Sequence, residues 1–485
     1  MQYILSIDQS TSGTKALLID HEGKIISKLV KNHAQYYPHK DWIEHDANEI
    51  WRNTTALIFR TIFDNNLSSE DISSITITNQ RETTVLWDRE TGEPVYNAVV
   101  WQCQRGTQIC RELKEYGEMV KEKTGMALSP YYPAAKLSWM LENIAGLRER
   151  AENGEICFGT IDSYLIYRLT GQKEHATDIS NASRTQLFNI RTLQWDEELL
   201  GIFKIPKQIL PQVLPSDGDF GYTDESTGIG GIPISAVMGD SHAALFGHQC
   251  LERGMAKVTF GTGSSIMCNI GEKYMKAPKG ISLSIAWEFD DKVNYVFEGN
   301  VTCSGDTLNW LINEMQLVRD VDEIEQLAGS VDSAGGVYLV PAFSGLGAPY
   351  FVNGVKGVIV GLGRSSSKVQ IVRAAIESLV YQTVDVMEAI QKKCGVLKLY
   401  ASGGPTVNKV MMQLLADYLG QDVYATEEKE LSGLGVAYMG GLKTGYFNAL
   451  PKDDSNFIFQ VKDNPYKEAA LIGWKKAVQK VLNFN

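Results

Sequence analysis

The chain has 485 residues, 44% hydrophobic and 21% charged, with a formal net charge of −12. That length supplies core for two to four domains, and that charge argues against a nucleic-acid or anionic-membrane surface, since either rewards clustered Lys and Arg. No long apolar run marks a membrane span, no basic segment with an apolar stretch opens the chain as a leader would, and seven scattered cysteines lack metal-type pair spacing.

A cytoplasmic protein with reduced thiols is therefore expected, and an anionic ligand would have to be held by local groups such as the amides of glycine-rich turns. The first element is a hydrophobic strand, residues 3–7, ending on Asp8. It runs through Gln9-Ser10-Thr11-Ser12-Gly13-Thr14-Lys15 before the apolar residues 16–19. Two strands joined by a short hydroxyl-rich turn predict a hairpin that can close on a phosphate-sized guest. A carboxylate ending a buried strand is costly unless bonded, paired or metal-bound. Magnesium beside phosphates accounts for both features, and so does an ordinary Gly/Ser hairpin with a capping Asp.

Further along, the apolar pattern predicts helices over residues 48–63 and 136–143 and strands over 74–78 and 84–87, which argues for an α/β fold. Another strand, residues 234–239, ends on a carboxylate, Asp240, and a helix follows from near Ser241. Asp240 is either a residue facing a cleft or the cap of that helix. Residues 256–267 then repeat the opening theme of strand, small polar turn (Gly261-Thr262-Gly263) and strand. A third glycine-rich turn, Gly403-Gly404, joins a strand to a helix over residues 410–419, a junction that lets a nucleotide approach the backbone. No Walker or G-x-G-x-x-G pattern accompanies it. The repeat predicts a loose duplication, with residues 1–247 and 248–485 forming two domains across a cleft.

Hairpin, second hairpin and Gly-Gly turn, in this order and over this length, resemble the FGGY carbohydrate kinases, which share the actin/Hsp70-like, ribonuclease H-like ATPase fold. The stretch YYPAAKLSWMLEN (131–143) resembles the first family signature, and GVIVGL (357–362), continuing through Gln370-Ile371 to Ala374-Ala375-Ile376-Glu377, resembles the second. Within the family, residues 78–88, 97–103, 180–190, 254–263 and 340–350 are most similar to the glycerol kinases.

The resemblance implies two α/β domains facing across a cleft and an ATP-dependent, Mg2+-assisted transfer to a terminal hydroxyl of a small polyol or ketose. It implies that Asp8 organises the metal, that Thr11, Ser12 and Gly13 with Lys15 nearby form one phosphate turn, and that Gly261, Thr262 and Gly263 form the other. Gly305, Asn309, Gly404 and Asn408 would contact adenosine. Asp240 would accept the hydroxyl proton. Gln80, Arg81, Glu82, Trp101 and Tyr131 would line the acceptor pocket with Asp240, Ser241 and Ser265, Arg81 as a donor fork and Trp101 as an apolar wall.

Three positions depart from the glycerol kinases. Lys15 replaces an Arg, a point charge in place of a fork. Ser241 stands where they carry Gln after the catalytic Asp, and Ser265 where they carry Phe two residues beyond the second turn. A pocket longer and more polar than a three-carbon triol requires is expected. His242 and His248, six apart, lack helical ligand spacing and are read as structural. Retention of Asp8, Asp240 and both turns favours a kinase over a catalytically silent sugar sensor on the same scaffold. A xylulokinase- or erythritol-type enzyme stays open, and a homodimer or tetramer is compatible with the sequence.

Overall fold

Two sheets of like topology organise the chain, of which the computed structural model describes residues 2–352, 354–451 and 456–483. In the first sheet, β1 (Tyr3–Gln9), β2 (Gly13–Ile19) and β3 (Ile25–Asn32) form an antiparallel meander. On the other side of β1 lie two parallel strands, β4 (Ile72–Asn79) and β5 (Ile234–Gly239), giving the order β5-β4-β1-β2-β3. Parallel neighbours need a crossover. Helix α1 (Ala47–Asp64) supplies the one between β3 and β4, its first turn capped by Asp46, whose carboxylate accepts from the Asn48 N–H at 2.8 Å.

The second sheet repeats the plan. The hairpin of β6 (Met255–Phe260) and β7 (Ser264–Gly271) is extended on one side by β9 (Lys292–Val301) and then β8 (Ser282–Phe289). On the other side it is extended by β10 (Lys398–Gly403), β11 (Val423–Thr426) and β12 (Asn456–Phe459). In both sheets the first hairpin strand pairs in parallel with a strand whose own parallel neighbour lies beyond it. The duplication read from the two turns is thus a duplication of topology.

Further helices frame the sheets: α2 (Pro133–Asn143), α3 (Asp240–Gly247), α4 (Gly305–Asn313), α5 (Lys368–Cys394), α6 (Lys409–Leu419) and α7 (Leu431–Thr444). Helix α2 begins three residues earlier than the apolar pattern predicts, with Pro133 in its first turn, where a missing N–H costs nothing. Helix α3 begins at Asp240 itself, with Gly239 as the capping residue. The Asp240 carboxylate is therefore not the cap, and it accepts instead from the next amide, Ser241, at 2.6 Å.

Helices α3 and α7 join the two sheets. By sequence α7 belongs to the second half, yet it covers the first sheet, where the Ser6 hydroxyl donates to the Gly433 carbonyl at 2.7 Å. Helix α3 turns Phe246 onto Trp287 of the second sheet, ring centres 5.3 Å apart. The helices touch backbone to backbone: a Cβ on Gly435 would lie 1.8 Å from the Ala243 carbonyl oxygen. An apolar cluster including Ile4, Leu17, Phe246, Met267, Trp287 and Leu434 fills the space between the sheets. Among the described residues no helix is long and apolar enough to cross a membrane.

Candidate active site

The first turn is closed by the Ser10 N–H donating to the Gly13 carbonyl at 2.8 Å, and Gly13 is glycine because a Cβ would meet the Lys31 carbonyl oxygen at 2.8 Å. Ser12 projects into solvent, while the Thr11 hydroxyl accepts from the Trp101 indole N–H at 3.0 Å. That bond fixes one wall of the expected acceptor pocket to the first turn. Asp8 and Lys15 face each other across the hairpin and pair at 3.2 Å. Burial raises the Asp8 carboxyl above its ordinary range against the pull of Lys15, and the nearby charge of Asp240 adds to the rise. Lys15 also pairs with Glu430, just before α7, at 2.7 Å, and Lys28 reaches the other oxygen of that carboxylate.

Beyond β4, the loop at residues 80–84 enters a knot of buried charges. Arg81 gives both terminal nitrogens to Glu298 on β9, at 3.2 and 2.8 Å, and its Nε lies 3.2 Å from an Asp240 oxygen. Arg184 binds Glu82 at 2.7 Å through Nε and Glu298 at 2.6 Å through a terminal nitrogen, and its guanidinium lies over the Tyr132 ring. Burial alone would raise Glu298, but Arg184 and Arg81 outweigh it and hold the carboxyl well below its ordinary value. Glu82, at a positive φ of 61°, is raised by burial despite Arg184. Asp240 is the member of the knot that opens to solvent, its side chain 36% exposed.

The expected acceptor residues therefore divide. Asp240, Ser241, Ser265, Trp101 and Tyr131 are partly exposed, Trp101 and Tyr131 with ring centres 5.3 Å apart. The fork expected of Arg81 is already occupied by Glu298, because a buried guanidinium must be paired within the protein. Gln80 is almost wholly buried and braces the first turn: its amide donates to Gln9 at 3.0 Å and to the Ser10 carbonyl at 3.3 Å, and its oxygen accepts from Thr83. The two histidines bond to serines rather than to one another's surroundings, His242 to Ser284 at 3.4 Å and His248 to Ser402 at 3.1 Å. Burial, with Arg81 adding, holds His242 neutral, well below its ordinary pKa.

On the second sheet, the turn at Gly261-Thr262-Gly263 gives its carbonyls to the start of α4: Gly305 donates to Gly261 at 2.9 Å, and Ser304 and Asp306 to Thr262. A Cβ on Gly305 would sit 2.5 Å from the Gly261 carbonyl oxygen. Gly403 ends β10 at a φ of 101°, open to glycine, and Asn408 caps α6 by accepting from Met411 at 2.8 Å. Together Gly261, Thr262, Gly305, Asn309, Gly404 and Asn408 line one cavity of about 400 Å³, whose remaining wall includes Leu308, Val321, Ile324 and Val407. Six residues named separately from the sequence thus share a single pocket beside the second turn.

Glu298, Arg184 and Lys257 are the site residues that sequence reasoning missed. Each carried a weak signal. Lys257 is the lone charge of its strand and Glu298 directly follows the apolar run Tyr295-Val296-Phe297, placements that demand a partner, and Arg184 lies within residues 180–190.

Two sheets of one topology, each turning a glycine-rich hairpin toward a shared site with an adjoining nucleotide-sized cavity and an exposed carboxylate, define a two-domain phosphotransferase. The chain belongs to the FGGY family of carbohydrate kinases: the model of the family's N-terminal domain matches residues 3–247 and that of its C-terminal domain residues 256–443. It is similar to glycerol kinase 1 of Thermotoga maritima, 46% identical over 99% of both chains, and to a glycerol kinase of Bacillus velezensis, 44% identical over 99% of both. In structure it resembles Plasmodium falciparum glycerol kinase with ADP, with a TM-score of 0.94 and 32% identity over 99% of this chain and 98% of that one. A xylulose kinase from Lactobacillus acidophilus shares the fold, with a TM-score of 0.90 at 21% identity, 100% of this chain and 99% of that one being covered. The protein is an ATP-dependent kinase of the carbohydrate and polyol class.

Proposed function

We propose that the acceptor is a polyol or ketose of four or five carbons, phosphorylated on a terminal hydroxyl in front of Asp240. The observation that carries this reading is the position of Asp240, the partly exposed member of an otherwise buried knot of charges, followed by the small Ser241, with a second small residue, Ser265, partly exposed on β7. The hydroxyl proton passes to an Asp240 oxygen as the substrate oxygen bonds to the γ-phosphorus and the bond to the departing ADP oxygen breaks. The turns at 11–13 and 261–263 take the phosphates, and the 400 Å³ cavity with its Leu308, Ile324 and Val407 wall takes the adenine.

Asp8 is the residue that would hold Mg2+. A single buried carboxylate fits a small hard cation whose other ligands are phosphates and water, and among the described residues no cluster of three His, Cys, Asp or Glu competes for a metal. When bound, the ion neutralises phosphate charge. Asp240→Asn is expected to keep nucleotide binding while lowering transfer about 10²- to 10⁴-fold, the usual worth of a general base. Near-normal turnover with the best acceptor would remove Asp240 from the mechanism.

Similarity over the full chain to proteins named glycerol kinases favours glycerol as a second reading. The ratio of kcat/KM for erythritol or xylulose to that for glycerol separates the two. It should exceed one in the native protein and reverse in the double variant Ser241→Gln with Ser265→Phe, where an amide and a ring refill the pocket. A native protein that prefers glycerol returns the assignment to the second reading.

A further inference from the structure

The face of the second sheet turned toward the knot carries two cross-strand rows. Lys257, Met267 and Glu298 stand opposite one another on β6, β7 and β9, and Thr259, Ser265 and Asn300 form the next row. In an antiparallel pair directly opposed residues share a face, and positions two apart along a strand share it as well. Lys257 is therefore on the same surface as Glu298, the carboxylate that grips Arg81 and Arg184. Its ammonium bends toward the second row, 3.1 Å from the Thr259 hydroxyl and 3.4 Å from that of Ser265.

This lysine is 1% exposed, and among the described residues no carboxylate lies within ion-pair distance of it. Burial, reinforced by the like charge of Arg81, lowers its pKa to about 8. An ammonium has three donors, and two neutral hydroxyls leave one of them without an acceptor. Ser265, its neighbour, is partly exposed. A large side chain at 265 would wall the ammonium off, whereas a serine leaves it one hydroxyl away.

We infer that Lys257 is the specificity-determining residue of the acceptor pocket, donating to the carbonyl or hydroxyl oxygen of a four- or five-carbon acceptor at the end remote from the transferred phosphate. The inference rests on the acceptor reading above. A neutral oxygen is the partner that the charges favour. Arg81, Arg184 and Lys257 already balance Glu82, Glu298 and Asp240, so an acid would add an uncompensated charge to a buried site. An acceptor of four or five carbons carries one or two oxygens more than a three-carbon triol, and these are the ones left for this donor.

The test measures kcat/KM for xylulose, erythritol and glycerol with ATP in the native protein, in Lys257→Met and in Ser265→Phe, the last of which covers the ammonium without removing it. The long-to-short ratio should fall about ten- to a hundredfold in both variants, the worth of a hydrogen bond to a charged group. Titration calorimetry of xylulose without nucleotide should show the same loss of affinity. Equal loss for all three acceptors in Lys257→Met would mark the lysine as merely structural and overturn the inference, as would an unchanged ratio in Ser265→Phe. If Lys257→Met does not fold, Lys257→Gln, which fills similar space with a neutral group, decides in its place: the same fall in the ratio is expected, and an unchanged ratio overturns the inference. Failure of the underlying acceptor reading shows separately, as a native protein that turns over glycerol best.

Discussion

Glu298 lies wholly buried between two guanidinium groups whose sequence neighbours belong to the other half of the chain. A buried ion pair adds little over a well-packed apolar substitute, but removing one partner strands the others. Glu298→Gln leaves Arg184 with Glu82 and Arg81 with Glu82 and the partly exposed Asp240, and should cost about 3–5 kcal/mol, read as a lower urea midpoint. An unchanged midpoint would show that the knot is not needed for stability. The pH dependence has a definite sign. The folded Glu298 carboxyl lies below its ordinary value of 4.5, so the native state binds fewer protons than the unfolded chain. Its contribution is complete above about pH 4.5 and is lost as the pH falls. The gap between native protein and variant should therefore narrow on acidification below that value, and a gap that widens would contradict the assignment.

At the scale of elements, what the sequence revealed was local. Strand, small polar turn and strand is a pattern carried by about fifteen consecutive residues, so both hairpins and the Gly403-Gly404 junction were legible, while Gly305, Asn309, Gly404 and Asn408 on the wall of the 400 Å³ cavity were reached through the family resemblance. Partners were not legible. Arg81 and Glu298 are 217 positions apart, and periodicity reports that a face is buried without saying against what. The same limit hid α7, which a boundary near residue 247 places with the second sheet although it packs on the first. Its contact with α3 gives a sharp test. Gly435→Ala drives a methyl into the Ala243 carbonyl at 1.8 Å, with backbone on both sides and no flexible side chain to yield. Helix α3 must shift, and it carries Asp240 at its first position. Overpacking of this kind costs about 1–3 kcal/mol, and a displacement near 1 Å can cost about 10² in rate. Both a lower Tm and a lower kcat are expected, and a variant with native values of each would show that the crossing tolerates side chains.

For the whole molecule the question is how two turns on separate sheets, both proposed to hold phosphate, would meet one triphosphate. Ser12, Gly261 and Thr262 are all exposed, so neither turn is buried against the other in the structure described. What does join the halves lies deeper, in the α3–α7 crossing, the Arg81–Glu298 pair and the Glu430 carboxylate held by Lys15 and Lys28. Contacts concentrated at the base of a cleft, with open turns at its mouth, are the arrangement that a hinge requires. Closure would bring the turns together on the nucleotide and shield Asp240 and the acceptor from water, so that transfer to water is suppressed. With nucleotide in the cavity lined by Gly305 and Gly404 and the acceptor nearer the knot, as proposed, each ligand alone would favour closure less than the pair does. Small-angle scattering should therefore show the largest decrease in radius of gyration with acceptor and a non-hydrolysable ATP analogue together. Glu430→Gln, which loosens the base by releasing Lys28 and leaving Lys15 to Asp8 alone, should alter the radius of the unliganded protein more than that of the ternary complex. A radius unaffected by both ligands would mean that the turns already lie within reach of one triphosphate and that no hinge motion accompanies the reaction.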